Sequence, residues 1–276
     1  SGSGGSSERS LRGTNGGGSG GGEGGGQGGG GGPEVSFIIP MHDHVSVTLE
    51  CLLNLLRFAD EIPSAEYVLV DDGSVGDVDQ VKVFLKHMKQ SFGVRVKFHR
   101  QHLGVGYASI MTQASRLAEG RFLMLLNNDV MMTKGALRAL YGCFRDHPSV
   151  GVAVPQFVQA DGRVLDAGGI IFTDASAWQY GRGVAAASAE AHPYSYVRDV
   201  DYGTAACLLI RRSLFLDLGM YDPRYAQDKG AYYEDTDMSF HVRQSGLRVV
   251  YTPFASVLHF ESVSYGGGDS GGGGDS

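Results

Sequence analysis

Val35-Ser36-Phe37-Ile38-Ile39-Pro40-Met41-His42-Asp43-His44-Val45-Ser46-Val47-Thr48-Leu49-Glu50-Cys51-Leu52-Leu53-Asn54-Leu55-Leu56 sets the pattern of the chain. Its first six residues are a short apolar run, the pattern of a strand buried on both faces. Beyond His42-Asp43-His44, Leu49, Leu52, Leu53 and Leu56 recur at i, i+3, i+4 and i+7, which predicts a helix with those four residues on its buried face. The alternation continues: 67–70 and 94–98 read as strands, 107–118 as a helix and 122–126 as a fourth strand. Thr133 reads as the cap of a helix whose stripe is Leu137, Leu140, Tyr141 and Phe144. Apolar runs separated by helices imply a mostly parallel sheet covered on both faces, a doubly wound α/β architecture.

The second half is mixed. Residues 150–158, 164–172 and 200–210 read as strands, with turns at Asp161-Gly162 and Gly168-Gly169. Helices are expected at 212–218 and 236–245, and a strand at 248–251 that stops before Pro253. The polar, Gly-rich stretch 175–198 reads as a loop over a site.

Outside this pattern lie residues 1–32, nearly all Gly and Ser with Leu11 the one apolar side chain, and the Gly-rich run 266–276. Neither can bury enough surface to offset its ordering entropy, so both are expected to be disordered tails around a domain at 33–265. The net charge is −7, of which Asp269 and Asp275 supply two while Glu8, Glu23, Arg9 and Arg12 cancel. The domain therefore carries −5 (−7 + 2), which argues against nucleic acid as a partner. Cys51, Cys143 and Cys207 are odd in number, lack Cys-x-x-Cys spacing and sit in apolar surroundings, so buried thiols are expected. With no apolar run of about 18 residues and no signal-type start, the expectation is a cytoplasmic chain without a transmembrane segment.

In open α/β sheets ligands gather beyond the carboxyl ends of strands. Three segments there carry chemistry: 40–44, Asp71-Asp72-Gly73-Ser74 and Asn127-Asn128-Asp129. Carboxylates at two strand ends suit a nucleotide and a hard divalent cation, although Asp72-Gly73-Ser74 alone is equally a turn and Asp129 equally a cap. A third cluster, Tyr232-Tyr233-Glu234-Asp235-Thr236-Asp237, places three carboxylates within four residues before a helix. Capping explains one or two of them. His259 follows the apolar run 256–258, where it is either structural or a metal ligand.

Taken in order, these segments resemble glycosyltransferase family 2, an inverting family with the GT-A fold. Residues 35–40 look like its opening strand, Val70-Asp71-Asp72-Gly73-Ser74 like its nucleotide-binding turn, and Leu125-Leu126-Asn127-Asn128-Asp129 like its metal-binding Asp-x-Asp segment. Tyr233-Glu234-Asp235-Thr236-Asp237 is similar to the acidic motif that holds the base, and His259 lies 24 residues beyond Asp235 (259 − 235), near where many members place a metal-binding histidine.

The resemblance implies a metal-assisted transfer of a sugar from a nucleotide-diphosphate donor to a glycan or other hydroxyl acceptor, in glycan biosynthesis. Pro40, Asp71, Asp72 and Asn128 would contact the nucleotide, and Asp129 with His259 would bind Mn²⁺ or Mg²⁺. Asp235 would be the general base, with Glu234 supporting the acceptor. Three residues depart from the pattern: Asn127 replaces the first carboxylate of Asp-x-Asp, His102 precedes Leu103-Gly104, and His241 takes a position often longer and basic. The competing reading is a catalytically inactive nucleotide- or sugar-binding module of the same fold. A nucleotidyltransferase or a dinucleotide-dependent dehydrogenase would need a Gly-rich loop where Met41-His42-Asp43-His44 stands. Trp178, Tyr180 and Tyr232 are candidates for an acceptor-stacking surface.

Overall fold

The apolar runs of the first half become strands, and the helical stripes pack between them. A computed structural model describes residues 31–76, 78–226 and 233–260. Of the expected tail at 1–32, residues 1–30 lie outside the described residues, as do the tail at 266–276 and Tyr232. In chain order the elements begin with β1 (Val35–Met41), α1 (Val45–Arg57), β2 (Ala65–Asp72), α2 (Asp79–Phe92), β3 (Arg95–Gln101), α3 (Tyr107–Leu117) and β4 (Phe122–Leu126). They continue with β5 (Val130–Met132), α4 (Ala136–Asp146), β6 (Val150–Val158), β7 (Val164–Asp166), β8 (Gly169–Ile171) and β9 (Ala177–Gln179). The last are β10 (Arg198–Asp199), β11 (Cys207–Arg211), α5 (Arg212–Asp217), α6 (Glu234–Gln244) and β12 (Arg248–His259).

Among the described residues the main sheet runs β10-β12-β6-β11-β4-β1-β2-β3, with β5 joined to β12 and β7 to β6. β1 is parallel to β2 and β4, β2 to β3, and β12 to β6, whereas β11 runs antiparallel between β4 and β6. This is the α/β architecture expected, with the mixed half beginning at β11. Both faces of β1 are buried: Phe37 and Ile39 join a core with α1, α2 and α4, while Ile38 joins one with α3, α5 and α6. Two-sided burial is why these strands read as continuous apolar runs. The edge strand β3 carries exposed Arg95 and His99, charge and polarity that discourage edge pairing. No helix among the described residues is long and apolar enough to cross a membrane. All three cysteines are free and buried, as expected.

Several boundaries differ from the sequence reading. The buried face of α1 is Thr48, Cys51, Leu52 and Leu55, while Leu53 is 54% exposed. The spacing survives but the face turns by one residue, because Thr48 accepts a hydrogen bond from Asn128 and Cys51 lies against the Asn127 carbonyl. Thr133 does not cap α4 with its side chain; its hydroxyl donates to Ser256 O at 2.7 Å, and Glu61 takes the Gly135 amide at 2.5 Å. The 164–172 run splits at Ala167-Gly168 into β7 and β8, which belong to different sheets. Residues 200–206 are irregular ahead of β11. β12 continues through Pro253 to His259, because its register against β6 shifts between Thr252 and Ser256, and a bulge leaves room for a residue with no N–H.

Candidate active site

The loops after β1, β2 and β3 are fastened to one another by three aspartates. Asp71 accepts hydrogen bonds from the Ser74 amide at 2.9 Å and hydroxyl at 2.5 Å, and its other oxygen pairs with Arg100 Nε at 3.0 Å. Asp72 accepts the amides of Val105 at 2.7 Å and Gly106 at 3.1 Å. Asp43 accepts those of Val75 and Gly76 at 2.9 and 3.0 Å, and the Gly76 amide, ahead of every other influence, draws its carboxyl below the ordinary range. Gly73 makes the approach possible: it sits at φ +80°, and a Cβ there would lie 2.6 Å from Gly104 N. Asp43 and His44 hold left-handed conformations at φ +53° and +45°, an expense these ties sustain. Asp71 and Asp72 are thus engaged within the loops at the carboxyl ends of β1, β2 and β3, and Pro40 lies buried in β1 beside Val70.

The second group comes from β4, β5 and β12. β5 pairs antiparallel with β12, placing Val130 opposite His259. His259 Nε2 thereby lies 3.5 Å from Asp129 Oδ1, with Asp129 1% exposed. Ligands at about 2.1 Å in adjacent octahedral positions sit roughly 3 Å apart, so a small closure would let this pair share a cation. The Oδ1 of Asn127, two residues before Asp129 in the same loop, is buried and accepts no hydrogen bond among the described residues. No group of three His, Cys, Asp or Glu residues suited to a metal occurs among the described residues. One carboxylate and one imidazole therefore fit a hard ion that takes its remaining ligands from a diphosphate and water. Asn128 turns inward, its Nδ2 donating to Thr48 Oγ1 at 2.9 Å. Burial, followed by the charge of Asp129, pushes the Cys51 thiol up to about 12, so it stays protonated.

The third group stands on α6, which begins at Glu234 behind Tyr233 in a left-handed turn of φ +81°. Glu234 and Asp235 consequently occupy the first turn, where the helix dipole favours negative charge. Asp235 Oδ2 accepts the Ala205 amide at 3.0 Å, and Oδ1 accepts the Thr236 amide at 2.7 Å and hydroxyl at 3.2 Å. A carboxylate offers about four acceptor sites, so one on Oδ2 is left for a proton. Burial raises the Asp235 pKa despite those amides. Burial, and then the charge of Asp235, raises that of Glu234, whose Oε2 is buried without a hydrogen bond among the described residues. The Asn127 amide donates to Ala206 O at 2.9 Å, so the 205–206 segment touches both the Asn127 loop and Asp235.

Sequence reasoning missed Tyr107, Asp166 and Thr204, and took Asp43 only as part of the 40–44 segment. Asp166 ends β7, 4% exposed, and accepts the Thr204 hydroxyl; an Asp two residues before Gly168-Gly169 reads as turn punctuation. The aromatic candidates separate: Trp178 on β9 is 57% exposed, whereas Tyr180 lies 4.3 Å beneath the Arg198 guanidinium as packing. His241 lies 3.9 Å from Asp237, one turn earlier in α6.

The family model described as glycosyl transferase family 2 matches residues 36–218. The uncharacterized protein y4gI of Sinorhizobium fredii is 28% identical over 247 residues, covering 87% of this chain and 26% of that protein. The chain thus spans about a quarter of that relative, and 18% of the O-antigen biosynthesis protein RfbC of Myxococcus xanthus, which is 26% identical over 238 residues and covers 85% of this chain. N-acetylglucosaminyl-diphospho-decaprenol L-rhamnosyltransferase of Mycobacterium tuberculosis is 29% identical over 236 residues, covering 79% of this chain and 73% of that protein. In three dimensions the chain is similar to GalNAc-T7, solved with UDP, GalNAc and Mn²⁺, with a TM-score of 0.66 at 18% identity over 83% of this chain and 43% of that one.

Proposed function

Because the chain belongs to glycosyltransferase family 2, we propose that its domain, taken as 33–265, moves a sugar with inversion from a nucleoside-diphosphate donor to an acceptor hydroxyl, with Asp235 as general base. The observation that carries this reading is the state of Asp235: two amides and a hydroxyl fix its carboxylate, and Oδ2 keeps one acceptor site. That oxygen takes the acceptor's proton as the hydroxyl attacks the anomeric carbon opposite the leaving diphosphate. Burial, which raises the proton affinity of Asp235, makes it a better base than an exposed aspartate. Glu234 beside it supports the acceptor.

Asp129 and His259, with Asn127 in the same loop as Asp129, would hold Mn²⁺ or Mg²⁺, which when bound supplies positive charge to the departing diphosphate. The loops fastened by Asp43, Asp71 and Asp72 shape the pocket for the nucleoside. The rhamnosyltransferase relative acts, by its name, on a lipid-linked diphosphate sugar, and we extend that class of acceptor to this chain. Incubation with UDP-, GDP- and dTDP-sugars and Mn²⁺, with and without a prenyl-diphosphate sugar, tests the proposal. Release of one nucleoside diphosphate, with an inverted product, is expected, and no turnover of any donor would overturn it. Asn127, in place of a carboxylate, favours a second reading as an inactive binding module, for which nucleotide binding without turnover is the expected outcome.

A further inference from the structure

The Thr204-Ala205 segment is gripped from three sides. The Thr204 hydroxyl donates to Asp166 Oδ2, the Ala205 carbonyl accepts the Tyr107 hydroxyl at 3.0 Å, and the Ala205 amide donates to Asp235 Oδ2 at 3.0 Å. Asp166 is itself fixed, because its Oδ1 accepts the Gly168 amide at 2.6 Å where the chain breaks between β7 and β8. A buried carboxylate, Asp166, and a half-buried one, Asp235, therefore stand on either side of one dipeptide, each accepting hydrogen bonds from the chain. We propose that Asp166 is a positioning residue for Asp235: it holds Thr204 so that the Ala205 amide meets the base, and its negative charge acts on the base through the same segment. The inference rests on the reading of Asp235 as the base.

Among the described residues, titratable groups from several elements face the pair. Glu234 shares α6 with Asp235, and the charge of Arg182, beyond β9, favours ionised Asp166. Tyr202 before β11, Tyr221 after α5 and Tyr251 on β12 have their pKa values raised by burial and stay neutral. Tyr233, ahead of α6, and Asp166 both act on Tyr202. Burial raises Asp166 to about 6, and the charge of Asp235 adds to the effect. Such coupling is mutual, so the two carboxylates titrate as a pair and the charge of either favours the proton on the other.

Removing the charge should then move the Asp235 titration to lower pH. The experiment follows aspartate carboxyl resonances by ¹³C NMR through a pH titration of the full chain and of Asp166→Asn. It adds steady-state turnover of UDP-GlcNAc, GDP-mannose and dTDP-rhamnose, using whichever reacts fastest. Expected are an Asp235 titration lower by roughly 0.5–1 pH unit, the acid limb of kcat moved the same way, and kcat lower by about tenfold with donor KM within about twofold. Thr204→Val should lose kcat similarly and Thr204→Ser should retain most of it, a contrast that decides the matter even if Asp166→Asn does not fold. An unmoved Asp235 titration, equal activity of the two Thr204 variants, or a loss carried entirely by KM would overturn the inference. Near wild-type transfer by Asp235→Asn alongside a shifted titration would instead overturn the base assignment alone.

Discussion

Replacing Asp72 by Ala removes the acceptor of the Val105 and Gly106 amides, held at 2.7 and 3.1 Å. Hydrogen bonds to a charged group contribute about 1.5–3 kcal/mol each, so the pair is worth about 3–6 kcal/mol before water is considered. Val105 and Gly106 lie on a half-buried loop, where water recovers part of this, and about 2–3 kcal/mol remains. A domain of this size loses about 2–4 °C in Tm per kcal/mol, which gives a fall of roughly 4–12 °C. Asp72→Asn keeps one acceptor oxygen and should lose about half as much. Because the loop runs into Tyr107, whose hydroxyl holds Ala205, UDP affinity should weaken along with the fold. Scanning calorimetry and titration calorimetry with UDP measure the two effects. A Tm change below about 2 °C in Asp72→Ala would refute the clamp, and a lost UDP affinity at unchanged Tm would make Asp72 a direct ligand instead.

Two further outcomes follow. Chelation of divalent cations should abolish transfer and Mn²⁺ or Mg²⁺ should restore it, with Asp129→Ala or His259→Ala raising the ion concentration needed for half-maximal rate; full activity in chelator would remove the ion from the account. Asp166 binds its proton more tightly in the fold, at about 6 against 3.8, so the folded state holds more protons between those values and stability falls as pH rises through them. At 1.36 kcal/mol per unit the effect approaches 3 kcal/mol, so urea unfolding of Asp166→Asn from pH 4 to 7 should gain on the parent by up to about that amount; parallel pH profiles would contradict the assignment.

The first half of the chain was legible because its strands are buried on both faces and its candidate carboxylates fall at or just beyond their carboxyl ends. Val35–Met41 and Phe122–Leu126 needed no more than their apolar composition. The second half was not, because its boundaries depend on partners far away in sequence. Pro253 stays within β12 only because β6 accepts a shifted register, and the face of α1 is set by Asn128, 80 residues beyond Thr48. Asp129 and His259 were legible as strand-end residues, and the pairing of β5 with β12 brings them to 3.5 Å. Asp166 was hidden because its partner Thr204 is 38 residues away, and nothing local distinguishes it from a turn aspartate.

The kcat of Asp235→Asn tests the account's central claim most directly. The amide keeps the shape of the side chain, but its NH₂ group must face either the Ala205 or the Thr236 amide, so a loss of about one hydrogen bond, near 1 kcal/mol, accompanies the change. Transfer should fall by at least about 10²-fold, beyond what that loss explains, while donor affinity holds and Glu234→Gln is milder. Near wild-type transfer by Asp235→Asn would contradict the account, and a comparable collapse in Glu234→Gln alone would move the base one residue earlier.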